Sequence, residues 1–234
     1  MLFRSLELLE REARGIRIIR NRSNTGFGAA NNRAAKEARG DILLFLNNDT
    51  ICIHGVLPGV EAVFRGDPSV GVLGPRLLNE DRTFQLSAGA LPTFWREIAD
   101  KAVHAAGRRG IGLVVDPVTK SFSRRRTVGW VTGAALFIRK ELFERAGAFD
   151  ESMFMYFEDK DLCARCWRAG STVVYDPHFE VIHLKGGSSP ASLSPFLGNA
   201  YRASQVRYYR VHRPVHERLL LNVYLHLRGR YPHA

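Results

Sequence analysis

The chain has 234 residues, 45% of them hydrophobic, and its 34 Lys and Arg against 23 Asp and Glu give a net charge of +11. That apolar content excludes a disordered chain, and no apolar run approaches the roughly 20 residues of a membrane span. The charge asks for an anionic partner, but the middle of the chain is acidic (Asp150, Glu151, Glu158, Asp159, Asp161) and no nucleic-acid recognition motif is present, so nucleic acid is not the expected partner.

Residues 2 to 14 place Leu2, Leu6, Leu9 and Ala13 at helical spacing, and the segment lacks the apolar centre of a signal peptide. A cytoplasmic protein, soluble or peripheral at the inner face of the cell membrane, is expected. Gly15 closes that helix, and Ile16 to Ile19 reads as a short strand. A helix from Ala29 to Arg39 ends at Gly40, and Asp41 to Leu46 is a continuous apolar run of the kind buried on both faces of a parallel sheet. Next come a helix around Val56 to Phe64 and a strand from Val70 to Leu73. An irregular Gly- and Arg-rich stretch runs from 75 to 127, and Val128 to Ile138 is β-like.

Helices are predicted over Glu141 to Ala146 and Phe157 to Ala169, and strands over Thr172 to Tyr175 and Glu180 to His183. Gly186 to Pro195 reads as a loop or lid. Two basic amphipathic helices, Ala200 to Arg213 and Val215 to Leu227, are broken by Pro214. This alternation is that of an α/β protein. Cys163 and Cys166 form a lone CxxC inside a helix and read as buried thiols, not a zinc site.

Three places carry chemistry. Asn47-Asn48-Asp49-Thr50 ends a buried strand, where open α/β sheets bind ligands; Asp49 suits a hard divalent cation, and a plain Asn/Asp turn reads equally well. Glu158-Asp159, among aromatic and acidic neighbours, suits a general base with a raised pKa, or first-turn charges at a helix N-terminus. His183 ends a strand before a Gly/Ser loop; a lone His is more often structural than a ligand, and its place beside a lid favours the site reading.

Together these segments resemble family 2 glycosyltransferases of the GT-A fold, in the rhamnosyltransferase-like branch. The resemblance rests on Asn21 to Gly28 with Asn31-Asn32, on Gly40 to Thr50, and on Gly71 to Arg76. It continues through Trp130 to Arg139, Gly147 to Glu151, Phe154 to Arg165, and His183. It implies a mixed, mostly parallel sheet flanked by helices in residues 1–195, with a basic helical tail over 196–234. Asn47-Asn48-Asp49 stands at the family's DxD position with Asn47 in place of the first Asp.

By the same resemblance Asp49, aided by His183, would hold Mg²⁺ or Mn²⁺ on the diphosphate of a nucleotide-sugar donor. Asp159, paired with Glu158, would deprotonate the acceptor hydroxyl and give inversion. Asn24, Gly26, Asn31, Asn47 and Asn48 would bind substrate, and Trp130 and Gly133 would line the sugar pocket. The acceptor would be a saccharide or a lipid-linked sugar of cell-surface polysaccharide synthesis. The basic amphipathic tail itself reads equally as a helix packed on the core or as a surface for an anionic membrane. The alternative is a non-catalytic remnant that binds a partner or membrane.

The family also has a strand–helix–strand unit that grips the nucleotide base, ahead of the helix at which this chain starts. An upstream start is expected, with two alternatives: a degenerate remnant, or direct pairing of the strands at Ile16 and Asp41.

Overall fold

The computed structural model describes residues 10–11, 15–108, 112–184 and 194–232. In chain order the elements are α1 (Phe27–Glu37), β1 (Ile42–Leu46), β2 (Thr50–Cys52), α2 (Val56–Gly66), β3 (Val70–Leu78), β4 (Phe84–Gln85), β5 (Ala88–Gly89) and α3 (Phe94–Arg108). They continue with α4 (Gly112–Ser121), β6 (Arg126–Thr127), β7 (Trp130–Val131), β8 (Ala135–Arg139) and α5 (Lys140–Arg145). The last are α6 (Glu158–Arg168), β9 (Thr172–His183), α7 (Ser194–His212) and α8 (Val215–Leu227).

The main sheet runs β1-β8-β3-β9-β2, with β4 beside β3 and β6 beside β9; β5 and β7 form a separate two-stranded ribbon. Strand alternation sorts its side chains into two layers. Val72, Leu136, Ile138 and Val173 face α6, where they meet Leu162, Cys163 and Cys166. Leu73, Phe137 and Val174 face α2, where they meet Val56, Val60 and Phe64. Fully burying each such side chain is worth about 1.5–3 kcal/mol. A third cluster joins α3, α6, α7 and α8 through Phe94, Phe157, Ala164, Tyr208, Leu221 and Leu225.

The α/β class holds, but strand direction differs from expectation. Among the described strands only β3 and β9 pair in parallel, because β8 lies between β1 and β3 and runs antiparallel to both. Ile16 to Ile19 forms no strand: Ile16 is 62% exposed, and this stretch has no sheet partner among the described residues to hold it extended. Direct pairing of Ile16 with the Asp41 strand is thereby overturned. Residues 75 to 127 are not irregular; they hold the end of β3, three short strands and helices α3 and α4.

The two strands predicted between 172 and 183 are one strand, β9, whose register jumps where Pro75 opposes Asp176 and Arg76 opposes Glu180. The predicted helix over 2–14 and the loop over 186–195 lie almost wholly outside the described residues. All three cysteines are free, with Cys163 and Cys166 buried and Cys52 partly so. No described helix is long and apolar enough to cross a membrane.

Candidate active site

At the end of β1 the Asn47 amide donates to the Ala134 carbonyl (3.0 Å), and the Thr50 hydroxyl donates to the Asn47 carbonyl (2.6 Å), closing the turn. β2 then pairs with β9 so that Thr50 stands opposite His183. This register brings Asp49 Oδ1 within 3.2 Å of His183 Nε2, with the Asn47 side-chain amide 3.4 Å from the same nitrogen. Both side chains remain partly open to solvent. Asn48 is exposed and makes no side-chain hydrogen bond among the described residues.

The other ring nitrogen of His183, Nδ1, lies 3.0 Å from the Gln85 side-chain amide. With the Gln85 NH₂ on Nδ1, Nε2 carries the proton and donates to Asp49. With the Gln85 oxygen there, Nε2 presents its lone pair; the amide orientation and the tautomer are set together. In the orientation drawn, the Gln85 oxygen is buried without a partner.

One carboxylate and one imidazole at this separation fit a divalent cation that takes its remaining ligands from water and substrate phosphates. They do not make a closed protein cage, and no cluster of three or more His, Cys, Asp or Glu able to hold a metal occurs among the described residues.

The acidic pair is carried by the first turn of α6. Tyr156 (φ 69°) and Phe157 (φ 63°) both adopt left-handed conformations just before it, costly for large side chains and typical of functional sites. Asp159 Oδ2 accepts from the Gly133 amide (3.0 Å) and Oδ1 from the Lys160 amide (2.8 Å). Lys160 Nζ lies 4.7 Å from the Trp130 ring centroid and 4.3 Å from that of Phe157. Glu158 turns inward instead. Burial, reinforced by the Asp159 charge, pushes its carboxyl up to about 8, and Oε2 has no hydrogen-bond partner among the described residues. Two adjacent carboxyls thus sit in different environments, one buried and holding its proton more tightly, one part-buried and held by amides.

In the same first turn of α6, His212 of α7 (2.6 Å) and Arg165 (2.9 Å) hold Asp161. Burial alone would raise its pKa, but these two partners bring it below the ordinary carboxylate value.

Gly26 (φ 85°) enters α1, with the Asn24 side chain accepting its amide (3.1 Å) and the Phe27 amide donating to the Phe154 carbonyl (2.9 Å). A Cβ at Gly26 would lie 2.3 Å from that carbonyl oxygen, and one at Gly133 would lie 3.1 Å from the Phe27 ring. Asn24, Gly26 and Gly133 therefore belong to one tightly packed junction beside Asp159.

Asn31 instead donates to the Phe27 carbonyl of its own helix (2.9 Å). Its neighbour Asn32 is the buried one, exchanging bonds of 2.9 Å with both the carbonyl and amide of Phe149. Sequence reasoning assigned no role to Gln85, Asn32 or Lys160. Lys160, between two acids in an aromatic stretch, carried a signal; Gln85 had none.

Beside Trp130 a cavity of about 380 Å³ is lined by Phe122, Trp167, Arg96 and Arg126 among others. Arg96 has no ion-pair partner among the described residues. A larger cavity of about 690 Å³, between α1, α6 and α7, includes none of the candidate site residues.

Residues 7–197 match the sequence model of a family described as glycosyltransferase like family 2. The chain belongs to that family. This family 2 member is 31% identical over 197 residues to an N-acetylglucosaminyl-diphospho-decaprenol L-rhamnosyltransferase of Mycobacterium tuberculosis, covering 76% of this chain and 62% of that protein. It is 30% identical to the O-antigen biosynthesis protein RfbC of Myxococcus xanthus over 72% of this chain and 13% of that protein. Over 56 residues, 24% of this chain and 21% of the relative, it is 43% identical to the rhamnosyltransferase WbbL of Escherichia coli.

Among solved structures it resembles GalNAc-T7 crystallised with UDP, GalNAc and Mn²⁺, with a TM-score of 0.55 at 18% identity. That match covers 88% of this chain and 39% of the other. The fold is therefore GT-A, as the motifs implied. The chain spans about three fifths of the mycobacterial relative.

Proposed function

We propose that this chain transfers a sugar, rhamnose or a hexose, with inversion, from a nucleotide-diphosphate donor to a saccharide or lipid-linked acceptor in cell-surface polysaccharide assembly. The observation that carries the reading is the Gly133-Ala134 turn, which ties Asp159 and the Asn47-to-Asp49 segment into one rigid unit.

In this reading Asp159, oriented by the amides of Gly133 and Lys160, takes the proton of the acceptor hydroxyl. The acceptor oxygen then bonds to the anomeric carbon as the bond to the diphosphate breaks on the opposite face. Glu158, whose buried carboxyl holds its proton more tightly than an exposed one, leaves the base role to Asp159. Asp49 and His183 would hold Mg²⁺ or Mn²⁺, which when bound supplies positive charge beside the leaving diphosphate. Trp130 offers an indole face for the sugar, and Arg96 and Arg126 in the adjoining cavity suit the phosphates of a lipid-linked acceptor.

Transfer or hydrolysis of a nucleotide-sugar by the chain, compared with Asp49→Ala and Asp159→Ala, tests the reading. Activity in the parent lost in both variants supports it. A folded parent as inactive as its variants across a panel of donors overturns it in favour of a remnant.

A further inference from the structure

We infer that the outer face of α8 is a docking surface for an anionic lipid bilayer. The helix is apolar on two sides. Its inner face, Leu221 and Leu225, is buried against Phe94, Ala164 and Tyr208 in the third core cluster. Its outer face carries Val215, Leu219, Val223 and Leu227 at steps of four residues, 64%, 59%, 57% and 83% exposed. Residues four apart lie on one side of a helix, so the four make a continuous aliphatic stripe about 20 Å long on a 13-residue helix. A scattered exposed Leu needs no explanation, but an aligned stripe does.

Charge selects the occupant. From residue 196 onward the sequence contains seven arginines and a single acid, Glu217. Glu217 is buried, facing away from the stripe, where it accepts from the Phe94 amide (2.9 Å) and pairs with Arg213. The outer face therefore carries no negative charge. Arg228 and Arg230 are exposed at its C-terminal end, and Arg210 just before the helix, all without acidic partners among the described residues. His216 and His226 are also exposed.

An aliphatic stripe bordered by unpaired cations matches an anionic interface, where the stripe enters the headgroup boundary and the arginines meet lipid phosphates. A helix apolar along one exposed stripe and basic at its ends suits lying on the surface. The inference is independent of the catalytic reading and stands or falls without it.

The test is sedimentation of the 234-residue chain with vesicles of phosphatidylglycerol and phosphatidylcholine, and with phosphatidylcholine alone. Three forms are compared: the parent, Leu219→Glu/Val223→Glu, and Arg228→Gln/Arg230→Gln. All four positions are outside the core, so melting temperatures of the variants should match the parent. The expected result is parent binding to anionic vesicles only, reduced at least tenfold by the Glu pair. The Gln pair should lose about fivefold per arginine removed, the factor that roughly 1 kcal/mol per charge gives.

Equal binding by parent and Glu variant at matched melting temperature overturns the inference, as does equal binding to neutral vesicles. A parent that dimerises in light scattering but ignores vesicles, with the Glu variant monomeric, also overturns it and makes the stripe a contact between copies.

Discussion

The Gly133 amide donates to Oδ2 of Asp159 at 3.0 Å, and the carbonyl of the following residue, Ala134, accepts from the amide of Asn47 at 3.0 Å. One tight turn thus fixes both a carboxylate on α6 and the polar end of β1. A Cβ added at Gly133 would lie 3.1 Å from the Phe27 ring, so the turn packs closely against α1. Asp159→Asn keeps an oxygen for the Gly133 amide but removes the base. The expected outcome is a fall in kcat of about 10²–10⁴-fold with KM for the donor and the melting temperature nearly unchanged. A large fall in melting temperature would show that the carboxylate serves the fold instead.

Glu158 holds its proton more tightly in the folded chain than in the unfolded chain, where a glutamate titrates near about 4.3. Between that value and about 8 the folded state carries the extra proton, so this residue lowers stability as pH rises through the window. Glu158→Gln should flatten the decline of melting temperature from pH 5 to pH 8, measured by calorimetry. Asp161 acts with the opposite sign. Its lowered carboxyl contributes stability above its unfolded value of about 3.9, which is lost as pH falls through the folded value.

Asp49→Ala and His183→Ala should each weaken Mn²⁺ binding, followed by electron paramagnetic resonance of the free ion without any donor present. Gln85→Ala should weaken it about 10-fold, the lower end of what removing a partner of a metal-binding histidine costs. Its melting temperature should stay close to the parent's. Unchanged Mn²⁺ affinity in all three variants would place the cation elsewhere.

Gly26→Ala forces a Cβ to within 2.3 Å of the Phe154 carbonyl oxygen at a φ of 85°. Strain of this kind costs on the order of 1–3 kcal/mol, and about 2–4 °C of melting temperature per kcal/mol in a chain of this size. Thermal denaturation should show that loss, whereas Gly66→Ala, with nothing within 4 Å of the added carbon, should show far less.

What the sequence made legible was concentrated at the ends of strands. Asn47 to Asp49 and His183 stand out in the sequence as polar residues closing apolar runs, and the β2–β9 register brings them together. Strand direction was not legible, since the antiparallel course of β8 depends on a turn and not on its apolar pattern. The helix α3 was missed because its buried face, Phe94, Glu97 and Ile98, packs on α7 and α8 more than 100 residues later. β9 read as two strands because Pro177 lacks an amide and Asp176 bonds forward to His178 (3.1 Å), creating the local break. Gln85 sits in a two-residue strand with no pattern to read, and only the fold shows it beside His183.

The three thiols differ in what chemistry can reach them. On the buried face of α6, burial pushes Cys166 up to about 12 and Cys163 well above the usual thiol value. Cys52 is only partly buried and its pKa is raised by that partial burial. It lies at the end of β2, two residues from the position that pairs with His183. Because the thiolate is the reactive species, a maleimide dye at mildly alkaline pH should attach once per molecule. The unmodified chain thus comes with one native attachment point for fluorescence, two residues along β2 from the position opposite His183.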